Sequence, residues 1–89
     1  MIYLCINIKG LVQGVGFRYF CYKLAMKYDA KGYVKNMSDG SVYLDIEADE
    51  KIIDVFIEEL RTGHRYAEVT SVKTERKKFE NKYKDFRIY

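Results

Sequence analysis

The residues best suited to chemistry lie in the run Gly10-Leu11-Val12-Gln13-Gly14-Val15-Gly16-Phe17-Arg18. Three glycines within seven positions let the backbone curl until successive N–H groups turn inward, forming a nest for an anion. The apolar period becomes helical at Phe17, so a helix N-terminus with unpaired N–H groups faces the same spot. Arg18, in the first helical turn, can lay its planar guanidinium over phosphate oxygens in a two-pronged grip. Each charge-assisted hydrogen bond of this kind contributes about 1.5–3 kcal/mol, so a handful would hold a dianion well. On spacing alone, a glycine-rich connector with Arg18 on a solvated face explains the run equally well.

Known nucleotide loops do not fit. A Walker loop ends Gly-Lys-Ser/Thr, whereas this turn ends Gly16-Phe17-Arg18, and a dinucleotide fingerprint needs glycine where Tyr19 stands. The single histidine, His64, follows Gly63 in a loop and reads as a surface residue. With no histidine–carboxylate cluster and no Cys-x-x-Cys pair, the sequence offers no metal site. Asn36, just before the turn signal Ser38-Asp39-Gly40, reads on its own as a turn-forming residue at a strand exit.

The elements that must position these residues follow from hydrophobic periodicity. Ile2, Leu4, Ile6 and Ile8 alternate with Tyr3, Cys5 and Asn7, which predicts a strand with one buried face. Phe17, Phe20, Cys21, Leu24 and Tyr28 share one stripe of a helix. A short strand over Tyr33–Asn36 and the alternation Val42, Leu44, Ile46 flank the Ser38-Asp39-Gly40 turn as a hairpin. Asp49 is a suitable N-cap for a second helix carrying Ile53, Phe56, Ile57 and Leu60. Gly63 lies just past its end, where a left-handed stop is expected. Val69–Glu75 predicts a fourth strand, the lysine-rich segment after it a loop, and Phe86–Tyr89 a short last strand. The order βαββαβ plus a terminal strand specifies an α+β, ferredoxin-like split βαβ sandwich. Its antiparallel sheet carries two helices on one face.

Eighty-nine residues make a single domain spanning 1–89. Apolar residues at 48% and charged residues at 33%, mixed in sign, predict a folded and soluble chain. A net charge of +3 is too mild and too scattered for a dedicated nucleic-acid binder, and the lysine-rich surface reads as a solvated face. Cys5 falls on the outer sheet face and Cys21 on the buried helix face, so both are expected to be reduced packing thiols. No apolar run reaches the roughly 20 residues of a membrane span, and the N-terminus lacks signal-peptide features. A cytoplasmic monomer is the expectation.

The run Gly10–Arg18, taken with Gly32-Tyr33-Val34-Lys35-Asn36-Met37-Ser38-Asp39-Gly40-Ser41-Val42, resembles the two signatures of the acylphosphatase family at the expected separation. The likeness extends over nearly the whole chain. It implies hydrolysis of acyl phosphates to a carboxylate and phosphate without metal or cofactor. It further implies that Arg18 binds the phosphate and Asn36 holds the attacking water. The backbone amides of Gln13, Gly14, Val15, Gly16, Phe17 and Arg18 would complete the cradle, and inorganic phosphate or other anions would bind as product or inhibitor. The chemistry suits so sparse a site, because the leaving carboxylate has a conjugate acid with a pKa of about 4 and needs no proton donor. Leu11, Ala48 and His64-Arg65 depart from the family pattern without touching Arg18 or Asn36.

Two alternatives remain. Single-stranded RNA-binding modules share the βαββαβ order and stack bases on an open sheet face, where Tyr3 and Tyr43 would lie; Lys31-Gly32-Tyr33 echoes part of their signature, but on the wrong strand. Acylphosphatase-like domains also occur within larger proteins that handle carbamoyl phosphate. Tyr89 and the chain-terminal carboxylate come within reach of Arg18 only if the last strand ends beside the cradle.

Overall fold

The computed structural model describes every residue, Met1–Tyr89. Its elements are β1 (Ile2–Leu11), α1 (Phe17–Lys27), β2 (Lys31–Asn36), β3 (Val42–Ala48), α2 (Ile53–Thr62), β4 (Glu68–Lys77) and β5 (Phe86–Ile88). A 3₁₀ turn, Glu50–Ile52, leads into α2. The five strands form one sheet in the order β4-β1-β3-β2-β5. All neighbours are antiparallel except β2 and β5, which run parallel, so the sheet is mixed at that edge.

The alternation in β1 and β3 decides the layering. Ile2, Leu4, Ile6 and Ile8 of β1 join Val42, Leu44, Ile46 and Ala48 of β3 in the core cluster. Phe17, Cys21, Leu24 and Ala25 from α1, and Ile53, Phe56 and Leu60 from α2, complete the same cluster, which puts both helices on one face. Burying a side chain such as Phe17, Phe56 or Leu60 contributes about 1.5–3 kcal/mol each. Cys5 and Cys21 are both free and buried, on opposite faces of the sheet.

Three local expectations change. Gly10 does not open the anion turn; it continues β1, where the pairing with β4 shifts register after Lys9. Its φ of +133° is open to glycine, and a Cβ there would sit 2.0 Å from the Glu68 carbonyl oxygen. Gly63 is not a left-handed stop, since its φ is −85°. Glycine is required there for space: a Cβ would lie 2.7 Å from the Glu59 oxygen and 2.9 Å from the Phe20 ring. Asp49 does cap, but it caps the 3₁₀ turn through a bond from the Lys51 N–H at 2.9 Å.

The segment expected to be a plain loop, Lys78–Asp85, has a defined course. It connects β4 to β5, the two opposite edges of the sheet, and so crosses the face that carries no helix. Four strand spacings amount to roughly 19 Å. Eight residues span about 26–29 Å when extended, but only about 12 Å as a helix. An extended strap is therefore the conformation that makes the crossing.

Candidate active site

The cradle is the connection from β1 to α1. Val12, with 1% of its surface exposed, anchors the start of the loop in the core, and Phe17, equally buried, anchors its end. Between them Gly14 and Gly16 have φ of +77° and +78°, and no atom lies within 4 Å of where a Cβ would be. Glycine is therefore needed for backbone conformation here, not for close approach. Gly16 is the residue preceding α1, in left-handed geometry and without a side-chain cap. None of the main-chain hydrogen bonds outside the regular elements uses an N–H from Gln13 to Tyr19, and no side chain accepts one. A run of backbone donors at a helix N-terminus is thus left for an anion.

Arg18 and Asn36 meet at this loop. A cleft of about 250 Å³ is lined by Val12, Gly14, Gly16, Phe17, Arg18, Tyr19, Asn36 and Ile88. Arg18 is its charged member. The Nη1 of Arg18 donates to the main-chain oxygen of Tyr89 at 2.8 Å, so the conditional reach to the last strand is realised. Tyr89 is placed by its own N–H, which donates to the Val34 oxygen at 2.8 Å. Asn36 is exposed at the last residue of β2 and its side chain has no protein partner. The amide is free to hold a water.

Gln13 and Val15 do not line the cleft. Val15 packs partly against the core. The Gln13 side chain does something that sequence reasoning missed: Nε2 donates to the Met37 oxygen at 2.8 Å and the Ser41 oxygen at 2.9 Å. It staples the cradle to the β2–β3 turn, one residue beyond Asn36. That turn is closed by Met37 N–H to the Ser41 oxygen at 2.8 Å and by Asp39, whose Oδ1 accepts from the Ser41 N–H and hydroxyl at 2.9 and 2.6 Å. Those bonds hold the Asp39 carboxyl below its ordinary range. The only signal for the staple was the residue type, since its partners are main-chain atoms 24 and 28 positions away.

His64 is less of a surface residue than expected. Its Nδ1 accepts the N–H groups of Tyr66 and Ala67, both at 3.1 Å, and its ring packs edge-on against Phe20. It shapes the loop after α2 and packs against Phe17 at 5.8 Å between ring centroids, without itself lining the cleft. The sheet face offered to RNA in the alternative reading is covered. Tyr3 is buried, its hydroxyl donates to Asp45, and Lys82 Nζ lies 4.1 Å above its ring. Tyr3 is closed to a base, while Tyr43 stays half-buried with its hydroxyl donating to Asp45. No helix is long and apolar enough to cross a membrane.

Known proteins match this chain over almost its whole length. The family model described as Acylphosphatase matches residues 4–88. An acylphosphatase of Pseudothermotoga lettingae is 53% identical over 73 residues, covering 82% of each chain. The crystal structure of acylphosphatase from Bacillus subtilis superposes with a TM-score of 0.95 at 34% identity, covering 100% of this chain and 99% of that one. Full-length HypF, solved in a phosphate- and nucleotide-bound form, matches with a TM-score of 0.86 at 34% identity; 99% of this chain is covered but only 12% of that one.

Proposed function

Since the chain belongs to the acylphosphatase family and is a hydrolase acting on acyl phosphates, we propose that its reaction takes place in the cleft between the Gly14–Arg18 loop and Asn36. The observation that carries this reading is that Arg18, a run of unpaired amides and the free Asn36 amide share one cleft. The phosphoryl oxygens sit on the amides of the loop and on the Arg18 guanidinium. Tyr89 takes one Arg18 N–H, which fixes the guanidinium plane and leaves its remaining donors for the substrate.

Asn36 accepts a hydrogen bond from a water through its side-chain oxygen and aims it at phosphorus. The water oxygen bonds to phosphorus as the bond from phosphorus to the acyl oxygen breaks. The carboxylate leaves with that electron pair, and the water's protons pass to the phosphate product and to solvent. A loose transition state with a good leaving group needs positioning and charge stabilisation more than a strong base. Gln13 holds the two halves of the site in register through its bonds to Met37 and Ser41.

The test is hydrolysis of acetyl phosphate by the parent chain beside Asn36→Ala. The parent turns over; Asn36→Ala loses kcat by about 10²-fold or more, in the range of a lost positioning group, and keeps its affinity for inorganic phosphate. An Asn36→Ala variant with the parent's kcat would remove Asn36 from the mechanism.

A further inference from the structure

The helix-free face of the sheet carries two buried carboxylates that the reaction does not use. Glu47, on β3, has 1% of its surface exposed. Its Oε1 accepts the main-chain N–H groups of Lys82 at 2.9 Å and Tyr83 at 3.2 Å, and its Oε2 accepts that of Glu80 at 3.2 Å. Asp45, two residues before, accepts from the hydroxyls of Tyr3, Tyr43 and Tyr83 and from Cys5 Sγ. Lys82 Nζ stands 3.9 Å from Asp45 and donates to the Tyr3 hydroxyl at 2.9 Å. Burying a carboxylate is costly unless it is met by donors; all three donors to Glu47 come from the strap Lys78–Asp85, while Asp45 takes Tyr83 from the strap and Tyr3, Cys5 and Tyr43 from β1 and β3. The strap is thereby tied to the middle of the sheet.

The strap leads into β5, whose far end reaches the active site at Ile88. Its last residue, Asp85, accepts the Gly32 N–H at 2.9 Å through its main-chain oxygen. The three residues of β5 then pair with β2, Gly32 to Phe86, Tyr33 to Arg87 and Val34 to Ile88. A second connection runs through rings: Tyr83 of the strap lies edge-on to Tyr33 at 6.1 Å between centroids, and Tyr33 lies edge-on to Tyr89 at 5.6 Å. Tyr89 supplies the oxygen that receives Arg18 Nη1. A strand of three residues has little pairing of its own to hold it in place, so its position depends on what is fixed at either end.

We propose that Glu47 and Asp45 are positioning residues for the active site, holding the strap so that β5 and Tyr89 present a fixed oxygen to the phosphate-binding Arg18. The proposal rests on the phosphate-binding reading of Arg18. It assigns a catalytic consequence to a cluster on the opposite face of the sheet from the cleft. Releasing the strap frees β5, Tyr89 loses its fixed place, and Arg18 samples rotamers that do not face the phosphoryl oxygens.

The experiment measures the affinity of inorganic phosphate, by titration of the amide signals of Gly14 and Gly16, in the parent, Glu47→Gln and Tyr83→Phe. Hydrogen exchange at the Tyr89 N–H is followed in the same samples, well below each Tm, so that global unfolding does not enter. Glu47→Gln is expected to weaken phosphate binding three- to tenfold and to speed Tyr89 exchange, with α2 signals unchanged. Tyr83→Phe keeps the ring and removes one bond to Asp45, with a smaller shift in the same direction; it decides the matter alone if Glu47→Gln does not fold. Parent-like phosphate affinity in the folded variants overturns the proposal, as does weakened binding with Tyr89 exchange unmoved. A parent that binds no phosphate overturns the reading of Arg18 instead.

Discussion

Replacing Arg18 isolates the contribution of the charged half of the cradle. A guanidinium has five N–H donors, and one of those on Arg18 is committed to the Tyr89 oxygen at 2.8 Å. Two of the rest suffice to bond phosphoryl oxygens as a fork. At about 1.5–3 kcal/mol for each charge-assisted bond, Arg18→Ala forfeits roughly 3–6 kcal/mol of binding to the phosphoryl group in flight. At about 1.36 kcal/mol per decade, kcat/KM falls roughly 10²–10⁴-fold. Arg18→Lys keeps the charge but has no planar fork, so about half of that loss is expected, roughly 10–10²-fold. The fold should hardly notice. Arg18 is exposed and makes one hydrogen bond within the chain, which contributes about 0.5–1 kcal/mol, a few degrees in Tm for a domain of this size. The assay is loss of acetyl phosphate under second-order conditions, with thermal unfolding of each variant in the same buffer. An Arg18→Ala variant within tenfold of the parent kcat/KM, while still folded, would refute the reasoning.

The Gln13 staple is neutral and half-buried, and Gln13→Ala removes two hydrogen bonds to main-chain oxygens; stability should fall by about 1–3 kcal/mol in urea unfolding, and kcat should fall because Asn36 and the cradle lose their common register. Gly16→Ala meets no atom but must hold φ near +78°, so unfolding free energy should drop by about 1–2 kcal/mol, with a larger loss of activity than Gln13→Ala if the amide run is displaced. Asp45 sets an acid limit: burial opposes its charge, but the bonds from Tyr83, Tyr3, Cys5 and Tyr43 outweigh burial and hold its carboxyl below the ordinary range. A folded-state pKa below the unfolded value of about 3.9 means its contribution is complete above that pH and is lost as pH falls through the folded value. Stability measured from pH 6 down to about 2 should therefore decline less steeply in Asp45→Asn than in the parent; equal slopes would place the acid sensitivity elsewhere.

Much of this protein is legible along the chain because its rules are local. Alternation in Ile2–Ile8 and Val42–Ile46, the helical stripe from Phe17 and the turn at Ser38-Asp39-Gly40 fix each element's type and buried face. The element order then leaves few ways to layer them. The glycines at 14 and 16 and the position of Arg18 at a helix start were equally readable, since backbone conformation and helix polarity are properties of short segments. Boundaries were less so. Gly10 and Gly63 look alike in sequence to any other punctuating glycine, and only the tertiary structure shows that the approach of Glu68 together with a φ of +133° sets the first, and the approach of Glu59 and Phe20 the second.

Contacts between distant residues were decided by the tertiary structure alone. Gln13 reaching Met37 and Ser41, Glu47 gathering three amides of the strap, and Arg18 meeting Tyr89 71 positions away all join side chains to main-chain atoms. A main-chain partner leaves no residue-type signature: the Gln13 and Glu47 pairs had no pattern to announce them, and the approach of Tyr89 to Arg18 stayed conditional on where the last strand ends. The lysine-rich segment shows the same divide: its composition matches a solvated loop, and only the placement of β4 and β5 at opposite edges makes it a strap across the sheet. The amino-acid sequence by itself set which groups could bind an anion and on which elements they stand. Bringing Arg18, Asn36 and the free amides to one cleft required the sheet order, because closeness in space is fixed by packing and not by distance along the chain.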